Sequence, residues 1–141
     1  MISIYLDDQR IPTEHPNNGK WEVARNYEEF VSKVTSAGLE NIDIISFDHD
    51  LDSSATSHFF KHVMSEYKID YSQIKERTGL HAAIWLIDHA SESDQDLPQC
   101  YSHSANPIGA SNIIGVINLY NYTRKKPQSC IRARWAHIKK K

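Results

Sequence analysis

Two short apolar runs and one strand-like stretch each end in a cluster of polar, chemistry-bearing residues. "ISIYL" (2–6) leads into Asp7-Asp8, "IDIISF" (42–47) leads into Asp48-His49-Asp50, and "PQCYSHS" (98–104) closes on His103-Ser104. Runs of this length, bounded by polar residues, read as buried strands. Between them lie stretches with helical spacing. Asn26 stands where it can cap a helix over 27–38, with Phe30, Val31 and Val34 on one face and Gly38 as the stop. Helices are also expected over 54–68, 80–90 and 106–125. The last begins with Asn106 and has Pro107 at its first position, where the missing N–H costs nothing. "WEVAR" (21–25) and "CIRARWAHI" (130–138) alternate as strands do. Residues 9–20, with Pro, Asn-Asn and Gly, form a loop.

Strands alternating with helices predict an α/β fold, with a mostly parallel sheet of about five strands and helices on both faces. In such sheets the ligand crevice lies beyond the carboxyl ends of the strands. The three polar clusters are therefore expected at one rim. At 141 residues the chain is expected to form a single domain, 1–141.

No apolar run approaches the roughly 20 residues that span a bilayer. The first residues lack the basic region of an export signal. Cys100 and Cys130 read as reduced thiols. A cytoplasmic protein with no membrane partner is expected. Charge is lopsided: all 18 acidic residues precede residue 97, and the segment 124–141 is basic. A basic segment suits a phosphate-bearing partner, but a pI near 6.4 argues against a dedicated nucleic-acid binder.

Asp7, Asp8, Asp48 and Asp50 offer an oxygen-rich cation site. Carboxylates cannot crowd together at neutral pH without a counter-charge, and Mg²⁺ or Mn²⁺ is the hard cation they suit. Asp52 reads as solvent-facing. His49 and His103, at strand ends, are candidates for general acid and base, or for metal ligands. Ser104, Asn106 and Gly109 open a helix whose N-terminus favours anions, and Arg10 adds positive charge. His81 can reach the same rim. His58 and His62, spaced i, i+4, read as helix surface, and His15, His89 and His137 as surface or packing. Ile84 and Trp85 read as core. The chain has no GxxxxGK[ST], GxGxxG or GxSxG motif.

An acidic pair after the first strand and an aspartate after the third resemble the response-regulator receiver layout. The lysine of ordinary receivers cannot be assigned here, so a phospho-accepting Asp48 is the least favoured reading. The chain more closely resembles the cyclic-phosphate processing receiver domain family. The residues that carry this are Leu6-Asp7-Asp8-Gln9-Arg10-Ile11-Pro12, Asp48-His49-Asp50-Leu51, Thr78-Gly79, and His103-Ser104-Ala105-Asn106-Pro107-Ile108-Gly109. The resemblance implies a receiver-like, flavodoxin-like three-layer sandwich. It also implies the handling of cyclic phosphates, such as cyclic nucleotides or 2′,3′-cyclic phosphate RNA ends, and it adds Thr78 to the substrate-binding candidates. Two functions are carried forward. One is a metal-dependent phosphodiesterase acting on such a small molecule or RNA end. The other is a non-catalytic sensor or sink using the same site. No oligomeric state follows from the sequence.

Overall fold

The computed structural model describes residues 1–51, 69, 71 and 77–133, and the backbone of 139–140. The expected helix over 54–68, with His58 and His62, lies outside the described residues, as do Asp52, Arg134, Trp135, His137 and Lys141. The strands are β1 (Ile2–Leu6), β2 (Arg10–Ile11), β3 (Trp21–Ala24), β4 (Ile42–Phe47), β5 (Gln99–Ser102), β6 (Ile131–Arg132) and β7 (Lys139–Lys140). The helices are α1 (Tyr27–Ala37), α2 (Gly79–Glu92) and α3 (Pro107–Thr123). A single 3₁₀ turn, Leu39–Asn41, leads into β4.

Five strands form one parallel sheet in the order β3-β1-β4-β5-β6. This is the flavodoxin-like order, in which the direction of winding reverses between the first strand and its neighbour. The fold is α/β and receiver-like, as expected. β6, near the start of the alternating segment 130–138, lies beside β5. β2 falls inside the expected loop and pairs antiparallel with β7, with Arg10 opposite Lys140.

Each strand divides its side chains between two faces. Ile4 and Leu6 of β1, Ile45 and Phe47 of β4 and Cys100 of β5 point into the main core. Phe30 and Val34 of α1, Ala82, Ala83 and Leu86 of α2, and Ile113 and Ile117 of α3 close over them. The three described helices thus share one side of the sheet. On the other side lie Ser3 and Tyr5, with the loop before β3 folded against them. His15 Nε2 is 2.8 Å from Ser3 Oγ, and Trp21 meets the Tyr5 ring edge-on at 5.3 Å. The Asn26 cap forms as expected, its side chain accepting from the Glu29 N–H, and Gly38 ends α1 at φ +83°.

Ile84 departs from its expected core position and is 43% exposed. One turn of α2 carries more apolar residues than its buried stripe can hold. Ala82, Ala83 and Leu86 take the inner positions, which turns Ile84 outward. Trp85 is half-buried, stacked on His89 and edge-on to Phe30.

Candidate functional site

β1 and β4 are neighbours at the point where the sheet's winding reverses, so their last residues open a crevice between them. Asp7 and Asp48 stand at those two ends. His103, one residue beyond β5, completes the group. One ligand atom each from Asp7, Asp48 and His103 lies within 4.8 Å of the others, and all three residues are buried. Among the described residues this is the group of at least three acidic, histidine or cysteine side chains with the proximity of a metal site.

Asp7 is tied down by its own loop. Its Oδ1 accepts from the backbone N–H groups of Gln9 (2.9 Å) and Arg10 (2.8 Å), and its Oδ2 lies 3.1 Å from His103 Nε2. Burial opposes its charge, but the His103 bond and the two backbone donors prevail and hold the carboxyl below the usual carboxylate range. Asp48 has weaker support, a single backbone donor, the His49 N–H at 2.8 Å. Burial, then the Asp7 charge, push its carboxyl well above that range. Two carboxylates in one dry crevice cannot both ionise freely.

His103 is held from three directions. Ser46 Oγ is 2.7 Å from its Nδ1, Asp7 sits at Nε2, and Tyr5 stacks on the ring at 4.0 Å between centroids. Both bonds are satisfied by a neutral ring that donates from Nε2 and accepts from Ser46. Burial agrees, pushing the imidazole below the ordinary histidine value against the pull of Asp7. Arg10 NH1 donates to the His103 carbonyl at 3.3 Å, and its Nε lies 3.8 Å from Asp7.

Asp50 and His49 turn to a second cluster. Asp50 Oδ1 is 2.7 Å from His49 Nδ1 and accepts from Asn106 Nδ2 at 3.3 Å. His49 Nε2 is 2.8 Å from the Tyr71 hydroxyl, to which Asn112 Nδ2 donates at 3.1 Å. Asp8 is half-buried and stands outside the group of three.

The remaining motif residues shape the rim. A Cβ at Gly79 would come 1.7 Å from the Asp48 carbonyl oxygen, so only glycine lets α2 start against the Asp48 backbone. Gly79 N–H also donates to the His49 carbonyl at 2.8 Å. Thr78, fully buried, donates its N–H to His81 Nδ1. A Cβ at Gly109 would come 2.3 Å from the His49 ring. Asn106 Oδ1 accepts from the N–H groups of Ile108 and Gly109, and Ser104 Oγ accepts from Asn106 N–H. The first donors of α3 are therefore already engaged, and Arg10 is the motif residue that carries positive charge to the Asp7 side.

Ser46, Tyr5, Tyr71 and Asn112 were not legible from sequence as parts of this arrangement. Ser46 and Tyr5 sit inside strand runs that look purely structural. Tyr71 lies in a polar stretch without periodicity. An open groove of about 680 Å³ lies elsewhere, between the 11–20 loop and β3, and none of the aspartates or histidines described above except His15 lines it.

The family model described as the cyclic-phosphate processing Receiver domain matches residues 2–119. The chain belongs to this family. In this member of the cyclic-phosphate processing receiver domains, the candidate site lies at the reversal point of the sheet, built from the ends of β1, β4 and β5. No curated protein and no solved structure matches the chain. Among the described residues no helix is long and apolar enough to cross a membrane.

Proposed function

We propose that this chain is a divalent-cation-dependent phosphodiesterase that opens cyclic phosphates, either cyclic nucleotides or 2′,3′-cyclic phosphate ends of RNA. The observation that carries it is the convergence of Asp7, Asp48 and His103 within 4.8 Å, from three strand ends, in a domain of the cyclic-phosphate processing family. The donor set fits a cation. Asp48 is pushed towards protonation by burial and Asp7, and a positive ion relieves that repulsion. His103 Nε2 can join Asp7 and Asp48 as a ligand once its proton moves to Nδ1, where Ser46 Oγ accepts it, and two carboxylates and an imidazole suit Mn²⁺ as well as Mg²⁺. Such an ion, when bound, polarises the phosphoryl group. The chain's own residues do the rest. Arg10 holds a phosphate oxygen beside Asp7. Ser46 and Tyr5 fix the His103 ring, and Asn106 fixes Asp50.

The test is incubation with cyclic mononucleotides, cyclic dinucleotides and RNA ending in a 2′,3′-cyclic phosphate. Mn²⁺, Mg²⁺ or EDTA is present, and ³¹P NMR reads the product. Ring opening with metal and none with EDTA is expected. No turnover of any substrate would sink the proposal.

A second reading, a sensor or sink that binds without cleaving, is favoured by one observation. The His49 and His103 side chains are both shut off from solvent, with both nitrogens of each ring engaged. Calorimetry separates the two: tight 1:1 binding with the nucleotide recovered unchanged supports the sensor.

A further inference from the structure

α3 differs from the other described helices in what it shows to solvent. Its core side is the stripe Ala110, Ile113, Ile117 and Asn121. The opposite side carries Ser111, Gly115, Leu119 and Tyr122, spaced i, i+4, i+8 and i+11 and all exposed. Leu119 is 64% exposed and Tyr122 80%. By contrast, α1 turns Glu28 and Glu29 outward, and α2 turns Asp88 and Glu92 outward. In a chain that is 24% charged, the 17 residues of α3 include no Asp, Glu, Lys or Arg.

Gly115 is an independent observation. It stands in the middle of α3, where glycine is the least favourable residue after proline. At Gly79 and Gly109 a Cβ would strike the Asp48 carbonyl or the His49 ring, but at Gly115 it meets nothing within 4 Å. Among the described residues, then, no packing contact asks for glycine there. A surface glycine that its own chain does not need is what close approach of a second backbone requires. The stripe is also complementary to itself. Ser111 and Gly115 make its N-terminal half small, and Leu119 and Tyr122 make its C-terminal half large. The pair Gly115 and Leu119 and the pair Ser111 and Tyr122 are centred on nearly the same point, at Ile117. Two antiparallel copies related by a two-fold axis at that point set each Leu119 against the other Gly115, and each Tyr122 against the other Ser111. Uncharged faces meet in this way without like-charge repulsion.

We infer that α3 is a homodimer interface, in which two copies of this chain pack antiparallel through Ser111, Gly115, Leu119 and Tyr122. The inference is independent of the phosphodiesterase reading above. One face of a helix about 25 Å long offers less than the roughly 800 Å² per partner of a standard interface. The dimer is therefore reversible, with a Kd in the micromolar range.

Sedimentation velocity of the full chain, from low to high micromolar concentration, should show monomer giving way to dimer. Leu119→Glu puts two like charges into the contact and is expected to weaken association by roughly tenfold or more. Gly115→Ala separates an interface from ordinary helix chemistry. Its methyl group should raise the thermal midpoint of the dilute monomer, because alanine favours helix, and weaken the dimer, because it holds the two backbones apart. Cysteine pairs test the orientation, since Cys100 and Cys130 are buried. Under Cu²⁺–phenanthroline oxidation in air, a mixture of Gly115→Cys and Leu119→Cys chains should cross-link more readily than either variant alone. A wild type that stays monomeric throughout overturns the inference in favour of a different protein as the occupant of this face. Unchanged association in folded Leu119→Glu or in Gly115→Ala overturns it too, as does cross-linking confined to like pairs.

Discussion

At the scale of single residues, the buried charges of the crevice pull stability in opposite directions with pH. Asp7 and His103 both have folded values below their ordinary ones. Their contribution is present above the unfolded values and is lost as pH falls, starting below about 6.5 for the histidine. Asp48 is raised, so its contribution is lost as pH rises through its folded value. Stability in EDTA should therefore pass through a maximum. Asp48→Asn keeps an oxygen for the His49 N–H and removes the charge. In EDTA at pH 7 it should raise the melting midpoint by a few degrees, roughly 1 kcal/mol, and flatten the alkaline side of the curve only. With Mn²⁺ added, the wild type should gain and the variant should not. Calorimetric melts across pH check both statements. Tyr5 gives a simpler case. Among the described residues its hydroxyl is the buried side-chain polar atom without a hydrogen-bond partner. Tyr5→Phe keeps the stack on His103 and sheds an unsatisfied group, so it should stabilise by about 1 kcal/mol in denaturant unfolding.

At the scale of elements, the site depends on how closely two helix starts approach the β4 end. Gly109 brings the first turn of α3 onto the His49 ring, and Gly79 brings α2 onto the Asp48 carbonyl. Gly109→Ala meets the Cβ and Cγ at the root of the buried His49 side chain, so it should cost at least the roughly 1–3 kcal/mol of ordinary overpacking and displace His49 from Tyr71. Gly79→Ala meets backbone, which cannot step aside, and should cost more. Chemical unfolding of the two variants, compared side by side, checks the order. Asn106 couples an element to the site. Its carbonyl oxygen caps α3 while its amide holds Asp50, so loss of the side chain affects helix and site together.

At the scale of the whole molecule, the basic segment is divided. Arg124 is paired with Asp94 and Asp96, and Lys126 with Asp96, so these charges are already balanced at the surface. Lys139 and Lys140 lie elsewhere, paired through β7 to the strand that carries Arg10. Arg25 fastens that region, donating to the carbonyls of both Asp7 and Arg10. β7 thus lies beside the strand that follows the Asp7 turn. Removing residues 139–141 should weaken binding of an RNA end or cyclic oligonucleotide and make the logarithm of affinity less steep in the logarithm of salt, since fewer counterions are released. An unchanged salt slope would show that the tail takes no part and would point to a substrate as small as a cyclic mononucleotide.

The parts of this protein set by local chemistry were readable from sequence. "ISIYL" and "IDIISF" are apolar enough to be buried strands wherever they fall. Asn26 and Asn106-Pro107 start helices through contacts with their own next few residues. Strand ends followed by aspartate and histidine implied one rim, because parallel sheets place their carboxyl ends together. Which of those residues meet was decided only by tertiary structure. Asp48 and Asp50 are two positions apart, yet one faces Asp7 and the other faces His49 and Asn106. His103 reaches Asp7 across 96 residues of chain, and His49 reaches Tyr71 across 22. Such bonds depend on strand order and on how near a helix can come. Neither leaves a periodic mark on the residues involved, so Ser46, Tyr71 and Asn112 carry no local sign of what they hold.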